Sequence, residues 1–195
     1  MADRLSGLRV AALFTDGVEQ IELTEPARRL RDEGARVDFV TPHEGSVQGM
    51  DHADKGQMFE TDRKVADVRP DEYDGLLLPG GVRNPDKLRM DAEAVALVRA
   101  MSEAGLTIAA ICHGPWLLVE ADVVRERHLT SYPSLQTDIR NAGGHWTDET
   151  VVEDDNLVTS RGPQDLDAFC DAMIRRLESH GRRQAGEGGQ ERLIA

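Results

Sequence analysis

The sequence predicts an α/β fold with a mostly parallel central sheet and helices on both faces. Two observations predict it. Short, nearly continuous apolar runs, as at residues 9–15 and 107–111, are typical of strands buried on both faces. Segments with helical spacing of apolar residues alternate with such runs along the chain, and this alternation favours a parallel sheet.

Residues 9–15 are predicted as the first strand, which ends at the Asp-Gly pair that follows it. Apolar residues recur at helical spacing over residues 18–33, a predicted helix that ends at Gly34 and is expected to kink at its internal proline. Residues 36–41 alternate polar with apolar and complete a βαβ unit. Residues 42–62 are rich in Gly, His, Asp and Gln, which predicts a loop or a small surface hairpin.

Residues 76–78 are a third predicted strand, stopped by a Pro-Gly-Gly turn. Residues 91–103 have the apolar spacing of an amphipathic helix. A fourth strand at residues 107–111 leads into a helix at residues 114–121, where Pro115 occupies the tolerated first turn.

The alternation of helices and strands continues with a predicted helix at residues 135–142, a strand at residues 157–160 and a final helix at residues 164–179. A chain of 195 residues has the length of one domain, so residues 1–180 are interpreted as a single α/β domain. Residues 181–195 are polar and are expected to form a C-terminal tail.

Charge and hydropathy exclude several classes of protein. The chain has 23 Lys and Arg against 36 Asp and Glu, a formal charge of -13, so a nucleic acid is not expected as a partner. The longest apolar runs are far shorter than a membrane span, and residues 1–7 are mixed and polar, so a cytoplasmic location without membrane contact is expected. The two cysteines, Cys112 and Cys170, are too few for a disulfide framework.

Cys112 has the sequence context of a nucleophile. The small, apolar fourth strand delivers it into a turn that is followed at once by His113, a glycine and a predicted helix, as in a nucleophile elbow. A position before a helix favours an anion, so we expect the thiolate of Cys112 to form more easily than in free cysteine. Cys170 lies among apolar residues at helical spacing and is interpreted as a packing residue.

Four further groups can assist this thiol. His113 is either a general base or a packing histidine, and Asp86 is a candidate to orient its ring. Glu19 and Glu22 lie three residues apart on one face of the first helix, which is ordinarily a solvated face. If strands one and four are adjacent, one of these carboxyls can approach the sulfur, and it would then have to be protonated.

Backbone N–H groups of Gly80 and Gly81, together with that of His113, are candidates for an oxyanion hole. No cofactor and no metal is expected. The other histidines lack metal-ligand spacing with one another, and the acidic Asp-Gly-Val-Glu sequence after strand one has the wrong charge to bind the phosphate of a flavin.

Four motifs, at residues 17–22, 76–81, 110–115 and 130–133, together resemble the PfpI intracellular protease family. Its superfamily includes the Parkinsonism-associated deglycase and the class I glutamine amidotransferases. The resemblance covers roughly residues 8–178 and implies a flavodoxin-like, three-layer sandwich.

The resemblance also implies roles for individual residues. Cys112 would be the nucleophile, Glu22 the carboxyl that contacts its sulfur, and Glu19 a second acid of the same site. An acid from an adjacent subunit orients the histidine in such proteins, and Asp86 matches its position, with one residue inserted and Asp in place of Glu. The resemblance therefore implies a homo-oligomer, at least a dimer.

The function that follows is a stress-related, cysteine-dependent hydrolase that acts on a small-molecule or peptide substrate, as a peptidase or a deglycase. The alternative is a non-catalytic oxidative-stress sensor or chaperone with an oxidisable Cys112. Glutamine amidotransferases carry a late His-x-Glu pair, whereas His145 is followed by Trp and Thr, which argues against that activity.

Overall fold

The structure is a computed structural model that describes residues 3–191, with side chains up to residue 181. The strands are β1 (Arg9–Leu13), β2 (Arg36–Thr41), β3 (Ser46–Asp51), β4 (Asp54–Glu60), β5 (Arg63–Lys64), β6 (Gly75–Leu78), β7 (Thr107–Ile111), β8 (His128–Leu129), β9 (His145–Trp146), β10 (Val151–Asp154) and β11 (Leu157–Ser160). The helices are α1 (Gln20–Asp32), α2 (Arg83–Leu88), α3 (Ala92–Glu103), α4 (Pro115–Glu120), α5 (Gln136–Asn141) and α6 (Leu166–Glu191).

The central sheet has the strand order β10-β11-β7-β6-β1-β2-β5. Its neighbours are parallel, apart from β10, which pairs antiparallel with β11 at one edge. The strands β1, β6 and β7 lie side by side, so their carboxyl ends meet at one edge of the sheet. Ligands of open α/β sheets bind at this edge.

Alternate side chains of β1 enter two separate cores, as expected for a strand buried on both faces. Val10 and Ala12 pack in one core with Leu23 of α1 and Phe169 of α6. Ala11 and Leu13, on the opposite face, belong to a second core that includes side chains of α3, α4 and α5. The protein is therefore a three-layer, flavodoxin-like sandwich, as predicted.

Residues 42–62 contain the antiparallel hairpin of β3 and β4, which confirms the hairpin alternative. The short helix α2, the small parallel pair β8 and β9, and the edge strand β10 were not predicted from the sequence. The final helix α6 extends to Glu191 and so includes much of the segment expected as a tail. Composition predicted a tail because residues 181–191 include four glycines, which disfavour a helix. Residues 192–195 lie outside the described part of the chain.

Within residues 3–191, no helix combines the length and apolar character needed to cross a membrane.

Candidate active site

Cys112 occupies a backbone conformation that other residues avoid. Its φ is 61°, in the left-handed region, which costs a non-glycine residue roughly 1–2 kcal/mol. Two backbone hydrogen bonds hold it there: its N–H donates to the carbonyl of Ser160 at 3.0 Å, and its carbonyl accepts from Tyr132 N–H at 2.8 Å. The turn places this 7% exposed residue against a pocket at the end of the sheet, which is the geometry of a nucleophile elbow.

Gly80 permits the close approach of the turns after β6 and β7. A Cβ at this position would lie 2.6 Å from Cys112 Cβ and 2.6 Å from Oε2 of Glu22. Real Cβ atoms do not come so close, so only glycine fits between the candidate nucleophile and the buried carboxyl.

The imidazole of His113 lies beside the sulfur. Cys112 Sγ is 3.2 Å from Nδ1, and on the other side of the ring Nε2 is 3.3 Å from Oγ of Ser134. Tyr132 stacks on the ring, with centroids 4.6 Å apart and planes inclined by 23°. Burial lowers the pKa of His113 below its ordinary value, so the ring is neutral near pH 7 and can accept a proton at Nδ1.

Asp86 does not orient this ring within one chain. It is exposed on α2, and among the described residues no hydrogen bond joins its carboxylate to His113. Ser134 holds that position instead. Sequence reasoning missed Ser134 because it lies 21 residues away on a different segment.

Glu22 is a fully buried carboxyl on α1. Its Oε2 accepts a hydrogen bond of 2.9 Å from Gly80 N–H, while Oε1 has no hydrogen-bond partner among the described residues. Burial is the main cause that raises the pKa of Glu22 to about 7, against the lowering effects of Cys112 and Gly80. Gly80 N–H is thus engaged by Glu22, and the N–H groups that act on the sulfur are those of Gly81 and His113.

The pKa of the Cys112 thiol is raised, whereas its place before a helix had predicted a lowered pKa. Burial is the largest cause, and the negative charge of Glu22 adds to it, while backbone N–H groups of Gly81 and His113 act in the opposite direction. The short helix α4, which begins at Pro115, does not offset these causes. An ionised Glu22 therefore opposes formation of the thiolate, which forms more easily while Glu22 is protonated.

Glu19 lies at the same pocket and is also buried. Its Oε2 accepts a 3.0 Å hydrogen bond from the N–H of His52, at the tip of the β3–β4 hairpin, and burial raises its pKa. Ligand atoms of Glu19, Asp51 and His52 all lie within 4.8 Å of one another, the one such group of possible metal ligands in the described chain. Sequence reasoning missed His52 because the hairpin brings it to the pocket.

Asn84 is a buried residue that connects two of the strand ends, and it was not identified from the sequence. Its Oδ1 accepts a 2.7 Å hydrogen bond from Thr15 N–H, and its Nδ2 donates to the carbonyls of Pro79 at 2.8 Å and Gly80 at 3.1 Å. Asn84 therefore fixes the Pro-Gly-Gly turn relative to the loop after β1.

These residues surround a pocket of about 570 Å³. The lining residues are Gly17, Glu19, Glu22, Met50, His52, Ala53, Gly81, Val82, Arg83, Cys112, His113, Tyr132 and Pro163. The volume suits a small molecule or one side chain of a larger substrate.

The family model for the DJ-1/PfpI family matches residues 8–176, which include every residue of this pocket. The chain belongs to the DJ-1/PfpI family. The resemblance inferred from the motifs is thereby confirmed.

The chain is similar to several named members of the DJ-1/PfpI family. The chain is 39% identical over 171 residues to a deglycase of Pyrococcus abyssi, covering 88% of this chain and 100% of that protein. It is 42% identical over 172 residues to protein/nucleic acid deglycase 2 of Escherichia coli, covering 87% and 97%. The crystal structure of Drosophila melanogaster DJ-1beta superimposes with a TM-score of 0.79 at 26% identity, covering 95% of this chain and 98% of that one.

Proposed function

We propose that this DJ-1/PfpI protein is a cysteine-dependent deglycase that removes early glycation adducts from amines. The observation that carries the proposal is the 3.2 Å approach of Cys112 Sγ to His113 Nδ1 on a left-handed turn inside the pocket. The deglycase names of relatives that are 39% and 42% identical favour this chemistry over peptide hydrolysis.

The first step would release the amine. The thiol proton passes to Nδ1 of His113, and Sγ forms a bond to the adduct carbon that carries the nitrogen and a hydroxyl. The carbon–nitrogen bond breaks, and the amine leaves with the proton from His113. The products of this step are the free amine and a hemithioacetal on Cys112.

The second step would regenerate the thiol. In an adduct of a 2-oxoaldehyde, a proton shift from the hemithioacetal carbon to the neighbouring carbonyl converts the hemithioacetal into an isomeric thioester. Water then hydrolyses the thioester to a 2-hydroxy acid and the free thiol of Cys112, so no oxidant is needed. The N–H groups of Gly81 and His113 act on the sulfur and are candidates to stabilise oxyanions formed beside it.

We also propose, from the resemblance, that Asp86 orients His113 of a second subunit. Val82 and Met90 flank α2 and are exposed by 56% and 85%, so covering them in an oligomer would be favourable.

The test uses the methylglyoxal adduct of Nα-acetyl-lysine, with amine and lactate measured together. Wild type should release both in equal amounts, Cys112→Ser should release neither above the uncatalysed rate, and Cys170→Ser should match wild type. Free methylglyoxal at the same concentration is the control for action on the dissociated aldehyde. Amine release at one rate in wild type and Cys112→Ser would overturn the proposal, and peroxide-sensitive oxidation of Cys112 without turnover would favour the sensor alternative.

A further inference from the structure

The catalytic pocket adjoins a second cavity of about 580 Å³. The two share the walls formed by Gly17, Met50, Ala53 and Arg83. A substrate held at Cys112 can therefore reach the second cavity across this shared boundary.

The second cavity is lined by three cationic side chains, Lys55, Arg83 and Lys87, and by a single acid, Asp16. Asp16 pairs with Lys87 at 3.4 Å. The side chains of Lys55 and Arg83 take part in no hydrogen bond or ion pair with other described residues. An excess of positive charge is unexpected on a chain whose formal charge is -13.

Arg83 is held at the boundary by Gly17. An ideal Cβ at Gly17 would lie 2.4 Å from Cβ of Arg83 and 3.3 Å from its Cδ, so the stem of Arg83 packs directly on the glycine. Gly17 also has a φ of 89°, which favours glycine. The packed stem positions a guanidinium that has no partner within the described chain.

The two cavities differ in the side chains that line them. Two buried carboxyl groups with raised pKa values, Glu19 and Glu22, line the catalytic pocket, whereas Lys55 and Lys87 line only the second cavity. An anionic group on the substrate would be attracted towards Arg83 and Lys55. This attraction would orient a substrate with its amine end at the thiol.

We propose that the second cavity is a subsite for an oxyanion carried by the substrate, a phosphate or a carboxylate, bound by Arg83, Lys55 and Lys87. Guanidinium and ammonium groups bind both kinds of oxyanion through charge-assisted hydrogen bonds. The assignment of that oxyanion to a glycated amine rests on the proposed deglycase function, whereas the subsite itself does not.

The first test compares methylglyoxal adducts of 6-amino-1-hexanol, 6-aminohexanoate and 6-aminohexyl phosphate, which differ only at the end remote from the amine. Wild type should have a higher kcat/KM for the charged adducts than for the neutral adduct. Arg83→Gln should lower this selectivity about tenfold, the effect of one lost charge-assisted hydrogen bond. The carboxylate and phosphate arms show which oxyanion the subsite prefers.

Arg125→Gln is the matched control, because it removes the same charge from an exposed site near Asp122, away from both cavities. Its selectivity should equal that of wild type. Equal selectivity in wild type and Arg83→Gln would overturn the subsite while leaving the deglycase function intact.

The second test measures binding without turnover. Inorganic phosphate is titrated calorimetrically into Cys112→Ser and into the Cys112→Ser, Arg83→Gln double variant, both checked for folding by thermal unfolding. Binding that weakens about tenfold in the double variant supports the subsite, even if wild type turns over no adduct. In that case only the deglycase function fails. Equal or undetectable binding in the two variants would overturn the subsite. If wild type also turns over no adduct, the deglycase function is overturned as well.

Discussion

The backbone N–H of Gly80 donates a 2.9 Å hydrogen bond to Oε2 of Glu22, and this contact fixes a buried carboxyl beside the thiol of Cys112. The remaining oxygen of Glu22 has no hydrogen-bond partner among the described residues. The hydrogen bonds that Glu22 accepts do not compensate the desolvation of a carboxylate, so the neutral acid persists to about pH 7. The properties of the site should therefore change as Glu22 titrates.

Glu22→Gln should increase the free energy of unfolding at pH 8 by up to about 3 kcal/mol and leave it almost unchanged at pH 4. The pKa of Glu22 is raised from 4.5 to about 7 on folding, so its favourable contribution is complete below pH 4.5 and is lost as the pH rises through 7. Glutamine stays neutral throughout. Urea unfolding at pH 4, 6 and 8 measures the difference, with Glu25→Gln on the same helix as control. A gain that does not depend on pH would contradict the assignment.

Glu22→Gln should also speed alkylation of Cys112 by iodoacetamide about tenfold at pH 8, because an ionised Glu22 raises the pKa of the thiol. The rates should converge below pH 7, where wild-type Glu22 is protonated. Glu22→Ala should react more slowly than Glu22→Gln, since it lacks a donor to the thiolate. Cys170 is an internal control, because it is fully buried in the core and does not line the pocket. Identical pH profiles for wild type and Glu22→Gln would rule out this coupling.

Asn84→Ala should destabilise the protein by about 2–4 kcal/mol, because it leaves buried carbonyl and N–H groups without partners. Asn84→Asp keeps the oxygen that accepts from Thr15 but loses both donors to the Pro-Gly-Gly turn. It should therefore slow Cys112 alkylation even where it remains folded. The exposed Asn141→Ala is the control and should change stability by less than about 0.5 kcal/mol. Unchanged alkylation in folded Asn84→Asp would show that Asn84 does not position the site.

Mixing Cys112→Ser chains with Asp86→Ala chains should restore up to about a quarter of wild-type activity, if the site crosses a dimer interface. Each variant alone would lack one essential group, but a mixed dimer has one complete site. Native mass spectrometry verifies that chains have exchanged. Full activity in Asp86→Ala, with loss in Ser134→Ala, would instead show that Ser134 of the same chain orients His113.

The strands were predictable where burial dictates composition. The limits of β2 and β7 match the predicted residues 36–41 and 107–111, because apolar patterns there leave few alternatives. The helix α2 was missed since it has six residues and a proline near its start. β8 and β9 have two residues each, too few for any periodic pattern.

At the site, residues next to a recognisable turn could be predicted, such as Cys112 and His113. Residues that arrive through tertiary packing could not. His52 reaches Glu19 from a hairpin tip, and Ser134 reaches His113 from 21 positions away. The raised pKa of Cys112 was also missed, because it depends on burial and on a carboxyl from another helix.

Because Cys112 has a left-handed backbone, selection for stability and selection for reactivity favour different residues at this position. A glycine would adopt a φ of 61° without strain, so Cys112→Gly should be more stable than Cys112→Ser by about 1 kcal/mol. Selection for stability alone would therefore favour replacement of the nucleophile by glycine. Its persistence would have to be maintained by the reaction it performs, and loss of that reaction should leave a descendant with a relaxed, glycine-containing turn and an unaltered sheet.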